Sequence, residues 1–164
     1  MDLSMTALVL PIEVTLGQSR VTASTVRALE ERTVRFKEDA ATELLRSCRR
    51  SSVSGRFRLH CRSIRSFGFE TKIRLQVAYN RAQKEGLVLC EPEVIVRVLE
   101  DISMIIRPGR AAHFAMNASS SAYIFQLHGV RKTMGMERLV RLLPRDTQME
   151  YACSTELIFC QKIS

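Results

Sequence analysis

Apolar and polar residues alternate most strictly between Arg56 and Ser63, where Phe57, Leu59 and Cys61 fall on one side and Arg56, Arg58, His60 and Arg62 on the other. A period of two predicts a half-buried strand. Alternation resumes from Phe67 to Tyr79, with Phe67, Phe69, Ile73, Leu75, Val77 and Tyr79 facing away from Glu70, Lys72, Arg74 and Gln76. Two such runs around Ile64-Arg65-Ser66 predict a β-hairpin. Placing Arg62 opposite Gly68 brings both apolar sets to one face. The same register sets His60 opposite Glu70, Arg58 opposite Lys72 and Arg56 opposite Arg74. Like charges directly opposite are unfavourable unless solvated or bridged by an anion, so such a face would suit anion binding.

A different period governs Thr22 to about Cys48. Val26, Leu29, Thr33, Phe36, Ala40, Leu44 and Cys48 recur in steps of three and four, the stripe of a long amphipathic helix. Thr22 or Ser24 can cap its start, and Arg46, Arg49 and Arg50 suit its negative end. Before it, Ala7 to Leu16 reads as a strand that Gly17 ends. After the expected hairpin, Ala78 to Glu85 has helical character closed by Gly86, and Leu87 to Cys90 forms a short apolar strand. Pro92 marks a helix start, with Val94, Ile95, Val98, Leu99 and Ile102 on one stripe, although its β-branched content leaves a strand as the alternative. Pro108-Gly109 is a turn. Strands are expected at His113–Met116, Tyr123–Val130, Leu139–Leu143 and Met149–Lys162, the last carrying both Cys153 and Cys160. The sum is an α+β fold: a long N-terminal helix packed on an antiparallel sheet, followed by a β-rich C-terminal half. At 164 residues with 46% apolar content, and with no linker or repeat, residues 1–164 are expected to form a single domain.

Charge sharpens this picture. The net charge of +8 is confined to one segment, in which Arg46, Arg49, Arg50, Arg56, Arg58, Arg62, Arg65, Lys72 and Arg74 face a single acid, Glu70. The remainder of the chain balances to zero. A smaller basic group follows at Arg131, Lys132, Arg138, Arg141 and Arg145, beside Glu137. A concentrated field of this sign attracts polyanions, and arginine forks fit phosphate oxygens two at a time. The competing reading is a solvated basic surface, or one that meets an acidic protein.

Arg65-Ser66-Phe67-Gly68-Phe69 resembles the aromatic signature on the third strand of RNA-recognition-motif domains, whose exposed rings stack on bases. The chain departs from the pattern at Glu70 and Lys72, where a valine and an aromatic are expected, and the partner signature upstream is absent. Phe67 and Phe69 are therefore read as core residues of an alternating strand. Arg49-Arg50-Ser51-Ser52-Val53 resembles a basophilic kinase substrate; a phosphate on Ser52 would offset the basic segment. Arg32-Thr33-Val34-Arg35-Phe36 resembles the docking motif of phosphatase-1 regulators, which binds extended, whereas the stripe here predicts a helix. Asn117-Ala118-Ser119 is a glycosylation acceptor only in a secreted protein.

Catalytic signatures are missing: no phosphate-binding glycine loop and no nucleophile elbow occur. His60, His113 and His128 are potential bases, and Cys61 beside Arg62 a potential thiolate, yet Cys61 falls on the apolar side of its strand. Five scattered cysteines without a C-x-x-C, and no histidine at metal-ligand spacing, argue for free thiols in a reducing compartment, cytoplasmic or nuclear, with no cofactor and no metal. No signal segment and no apolar run long enough to span a membrane are found. The expected function is a non-enzymatic binding protein that engages nucleic acid, RNA more than DNA or a ribonucleoprotein, through the basic hairpin. The alternative is an interaction or assembly subunit, with seven methionines and the apolar Leu157–Ile163 segment as its contacts. An oligomer is compatible with either.

Overall fold

A computed structural model describes residues 8–18, 20–31, 34–37, 45, 53–101, 107–116, 123–133, 135–144 and 149–163. Strand β1 is Glu13–Leu16, helix α1 Ala23–Glu30, β2 Val34–Phe36 and β3 Gly55–Ser63. A short 3-10 helix, Ile64–Phe67, follows, then β4 at Ile73–Arg74, α2 at Leu75–Lys84 and α3 at Pro92–Glu100. The remainder is β: β5 Ala111–His113, β6 Tyr123–Lys132, β7 Gly135–Pro144, β8 Glu150–Tyr151 and β9 Glu156–Lys162. The mixed α+β class and the β-rich C-terminal half are as the sequence predicts.

The long N-terminal helix is not. Helix α1 has eight residues, capped by Thr22 through a reciprocal capping box with Thr25, and buries Val26 and Leu29. Ala40, Leu44 and Cys48 of the expected stripe lie outside the described residues, while at Val34–Phe36 the chain is extended and pairs in parallel with Arg138–Val140 of β7. Two of these residues, a β-branched and an aromatic one, favour a strand. Their partner lies a hundred residues downstream, out of reach of any local pattern. The phosphatase-docking resemblance is thereby extended rather than helical at Val34–Phe36, with Val34 buried.

The expected hairpin is also replaced. Strand β3 forms as predicted, but its antiparallel neighbours are β1 on one side (Glu13↔Arg58, Val14↔Phe57) and β9 on the other (His60↔Phe159, Arg62↔Leu157). None of the expected pairs, Arg62–Gly68, His60–Glu70, Arg58–Lys72 or Arg56–Arg74, exists. Ser63 caps the 3-10 turn by accepting from Ser66 N–H. Leu75, Ala78, Tyr79 and Ala82 are the buried face of α2, at helical spacing, while Val77, required inside by alternation, stands 44% exposed.

Two sheets hold the structure: β1-β3-β9, and β2-β7-β6-β5. A separate two-stranded sheet, β4-β8, packs Ile73 and Tyr151 against the smaller of two hydrophobic clusters. The larger hydrophobic cluster draws Val14, Leu16, Phe57, Leu59, Ile158 and Cys160 from the first sheet and Val34, Ala112, Leu127, Val140 and Leu142 from the second. Helix α3 belongs to it. Val94, Ile95, Val96, Val98 and Leu99 are all buried, the mark of an interior helix. Pro92 stands in its first turn, as predicted. Its one buried carboxylate, Glu93, accepts from Gly17 N–H (3.1 Å) and from the Arg97 guanidinium (3.1 and 3.2 Å), tying α3 to the end of β1. A smaller cluster covers the other face of the first sheet, where Leu157 and Phe159 meet Ile64, Phe67, Leu75, Ala78, Tyr79 and Ala82. Strand β9 ends the first sheet, but isolated bridges from Phe114 to Ile158 and from Val88 to Cys160 cover its outer edge at those two residues. Cys153 lies in the turn before β9, not on one strand with Cys160.

Candidate nucleic-acid interface

The basic segment enters the fold through β3. Because Phe57 and Leu59 face the larger cluster, alternation turns Arg56, Arg58, His60 and Arg62 the other way. That face is divided. Its β9-facing half, at His60 and Arg62, lies beside buried Phe159 and Leu157 and is closed by the smaller cluster; the half at Arg56 and Arg58 is open.

Each predicted residue then has a distinct setting. Arg56 and Arg58 are exposed and share Glu13, whose carboxylate accepts from both at 2.7 and 3.1 Å. The hydrogen bonds from Arg58 and then Arg56 hold Glu13 below the usual carboxylate range. Arg62 is engaged from several sides: it donates to Glu85 (3.0 Å) and to Ser66 Oγ (2.9 Å), and its guanidinium lies 4.5 Å over the Phe67 ring. Arg65 is exposed and reaches Cys153 Sγ at 3.1 Å. Lys72 and Arg74 are exposed at the start of α2, with Arg74 opposite Glu150 in the β4-β8 register. Among the described residues, Arg65, Lys72 and Arg74 have no carboxylate at ion-pair distance. Arg46, Arg49, Arg50, Ser51 and Ser52 lie outside the described residues, as does Asn117.

The structure therefore does not stack these charges in opposing pairs. Arg56 and Arg58 form one exposed group, partly neutralised by Glu13; Arg65, Lys72 and Arg74 belong to the segment that carries the chain into α2. Glu13 was the residue missed by sequence reasoning, and its signal was weak, a lone acid in a strand 45 residues from its partner Arg58. Phe67 is buried at 4% exposure and meets Phe159 edge to face at 5.7 Å, while Phe69 packs half-buried against the same cluster. No ring of the Arg65–Phe69 segment is thus an open stacking platform.

Among the described residues no group of three metal-ligating side chains is found, and no helix is long and apolar enough to cross a membrane. No family model, no curated protein and no solved structure matches the chain.

Proposed function

We propose that this is a non-enzymatic nucleic-acid-binding protein that contacts phosphates with the exposed cations of residues 46–74, RNA being favoured over DNA. The observation that carries the reading is that the whole charge excess of the chain sits in this segment, and that Arg56, Arg58, Arg65, Lys72 and Arg74 all stand in solvent. Cations so placed displace condensed counterions from a phosphate backbone without an induced change of fold. The burial of Phe67 favours backbone contact over base stacking. Within the segment, Arg65, Lys72 and Arg74 would contribute more than Arg56 and Arg58, which must give up Glu13 to meet a phosphate.

The test is anisotropy with unrelated single-stranded RNA oligonucleotides across a salt series. The triple variant Arg65→Gln, Lys72→Gln, Arg74→Gln is expected to weaken all sequences by similar factors. It should also make the log–log salt slope shallower by roughly 0.7 for each phosphate that the variant no longer neutralises. Binding that ignores salt, or no binding at low salt, overturns the proposal. The reading then favoured is an assembly subunit meeting a protein partner, for which Val77 and Met149, exposed at 44% and 54%, are the apolar contacts.

A further inference from the structure

The second sheet has an outer face that the proposed interface does not use. Its inner side chains, Ala112, Leu127, Val140, Leu142 and Val34, enter the larger cluster. Alternation therefore places His113, then Gln126 and His128, then Arg141, and then Arg35 and Lys37 on the opposite side. The register aligns them. His113 lies opposite Gln126, and Gln126 opposite Arg141, while His128 and Arg35 both flank Leu139. Lys37 extends β2 by donating its backbone N–H to Val140 O.

One amide joins the two imidazoles. Gln126 is 9% exposed; its Nε2 contacts His113 Nε2, and its Oε1 lies 2.9 Å from His128 Nε2. The amide nitrogen can only donate, so His113 accepts at Nε2 and keeps its proton on Nδ1. The amide oxygen can only accept, so His128 donates from Nε2. An acid of β7 on this face, Glu137, is engaged by Arg35 (3.0 Å) and Lys132 (3.6 Å). Two cations, Arg141 on β7 and Lys37 immediately after β2, act on His128.

We infer that this face carries a binding site for a phosphoryl group, the dianionic end of a phosphomonoester or free phosphate, held by Arg141, Lys37 and His128. The register sets Arg141 diagonal to His128, and Lys37 follows β2 on the same face beside Val140, so two cations share this face with one imidazole, an arrangement that a dianion neutralises. The histidines add a proton link. Desolvation lowers both, with His128 lowering His113 further and Arg141 and Lys37 lowering His128 further. His128 can gain a proton on Nδ1 without breaking its bond to Gln126, whereas His113 cannot become cationic while it accepts from the amide. A bound dianion opposes the field of the two cations at His128, so binding favours its protonated form and takes up a fraction of a proton near its midpoint. The inference is independent of the β3 cations.

The experiment follows the histidine ring signals by NMR during titration with inorganic phosphate, and then with a short oligonucleotide bearing a 5′-phosphate or a 5′-hydroxyl. Saturating phosphate is expected to shift the His128 signals and to raise its titration midpoint by about one pH unit. Arg141→Gln should weaken phosphate by about tenfold, the loss of one charge-assisted hydrogen bond. Should Arg141→Gln fail to fold, the rim variant Lys37→Gln, at an exposed position, is expected to weaken phosphate several-fold. A shift of the His128 signals by the 5′-phosphate but not by the 5′-hydroxyl oligonucleotide identifies a nucleic-acid end as the source, and a shift by free phosphate alone identifies a small phosphorylated molecule; either supports the site. The site is overturned if phosphate leaves the His128 signals unmoved, or if it binds Lys37→Gln as tightly as wild type.

Discussion

Phe67 shows how one side chain serves the fold while mimicking a recognition motif. Its ring is clamped between Phe159, edge to face, and the Arg62 guanidinium. Phe67→Ala is therefore expected to cost about 3–5 kcal/mol in urea unfolding, as a buried aromatic does, while leaving RNA affinity per folded molecule unchanged. Intact stability with lost affinity would restore base stacking as the mode of binding. Core burial of Phe67 and partial burial of Phe69 were legible from the apolar pattern, even though neither lies in a strand. The histidines make a second prediction at this scale. His113 and His128 have folded-state values below the ordinary 6.5. Between those lowered values and 6.5 the unfolded chain binds more protons than the folded one, so stability rises with pH across that window. The contribution is complete above about 6.5 and is lost as the pH falls through the window. Chemical denaturation of wild type and His113→Gln across this range is the measurement; an unchanged pH slope in the variant would remove His113 from the account.

At the scale of elements, strand β3 and helix α3 were readable because each carries its own signal. Strict alternation sets the first, and Pro92 followed by an apolar stripe the second. What failed was partnership. The run from Phe67 to Tyr79 satisfies two periods at once, and Leu75, Ala78, Tyr79 and Ala82 bury more as a helix than alternation could. Likewise the stripe from Thr22 crosses a strand whose reason for existing is β7, distant in sequence. The end of β1 is set by a stronger local constraint. Gly17 has φ +78, and a Cβ there would come within 2.7 Å of Ser54 Cβ and 2.8 Å of Val53 O. Its N–H also feeds the buried Glu93 carboxylate that anchors α3. Gly109 has a similar φ of +73 but nothing within 4 Å of such a Cβ. Gly17→Ala should therefore lower the melting temperature clearly more than Gly109→Ala, whose cost is backbone strain alone, about 1–2 kcal/mol. Equal shifts in the two variants would show that the Val53–Ser54 segment yields freely.

For the whole molecule, charge was the most legible property of the proposed binding surface and its arrangement the least. Which arginines cluster depends on Glu13 and Glu85, acids that only the tertiary fold delivers to Arg56, Arg58 and Arg62. Strand β9 poses the corresponding question for stability, because Ile158 and Cys160 belong to the larger cluster and Leu157 and Phe159 to the smaller. One strand supplying both cores should make them melt together. Cys90 and Cys160 report on the larger core: their sulfurs are 3.6 Å apart, hydrogen-bonded but not joined by a disulfide, and buried. Burial, reinforced by Cys160, pushes the Cys90 thiol well above its ordinary range, so alkylation there requires opening of the core. Half-buried Cys61 and Cys153 should react first in native protein. In the Phe67→Ala variant, whose lesion lies in the smaller cluster, the urea midpoint for alkylation of Cys90 and Cys160 is expected to fall as far as the far-UV circular-dichroism midpoint. Mass analysis of the alkylated peptides reads the first quantity and the spectrum the second. If the alkylation midpoint stays at its wild-type value while the spectrum shifts, the clusters unfold separately, and β9 is a boundary between two units rather than the strand that joins them.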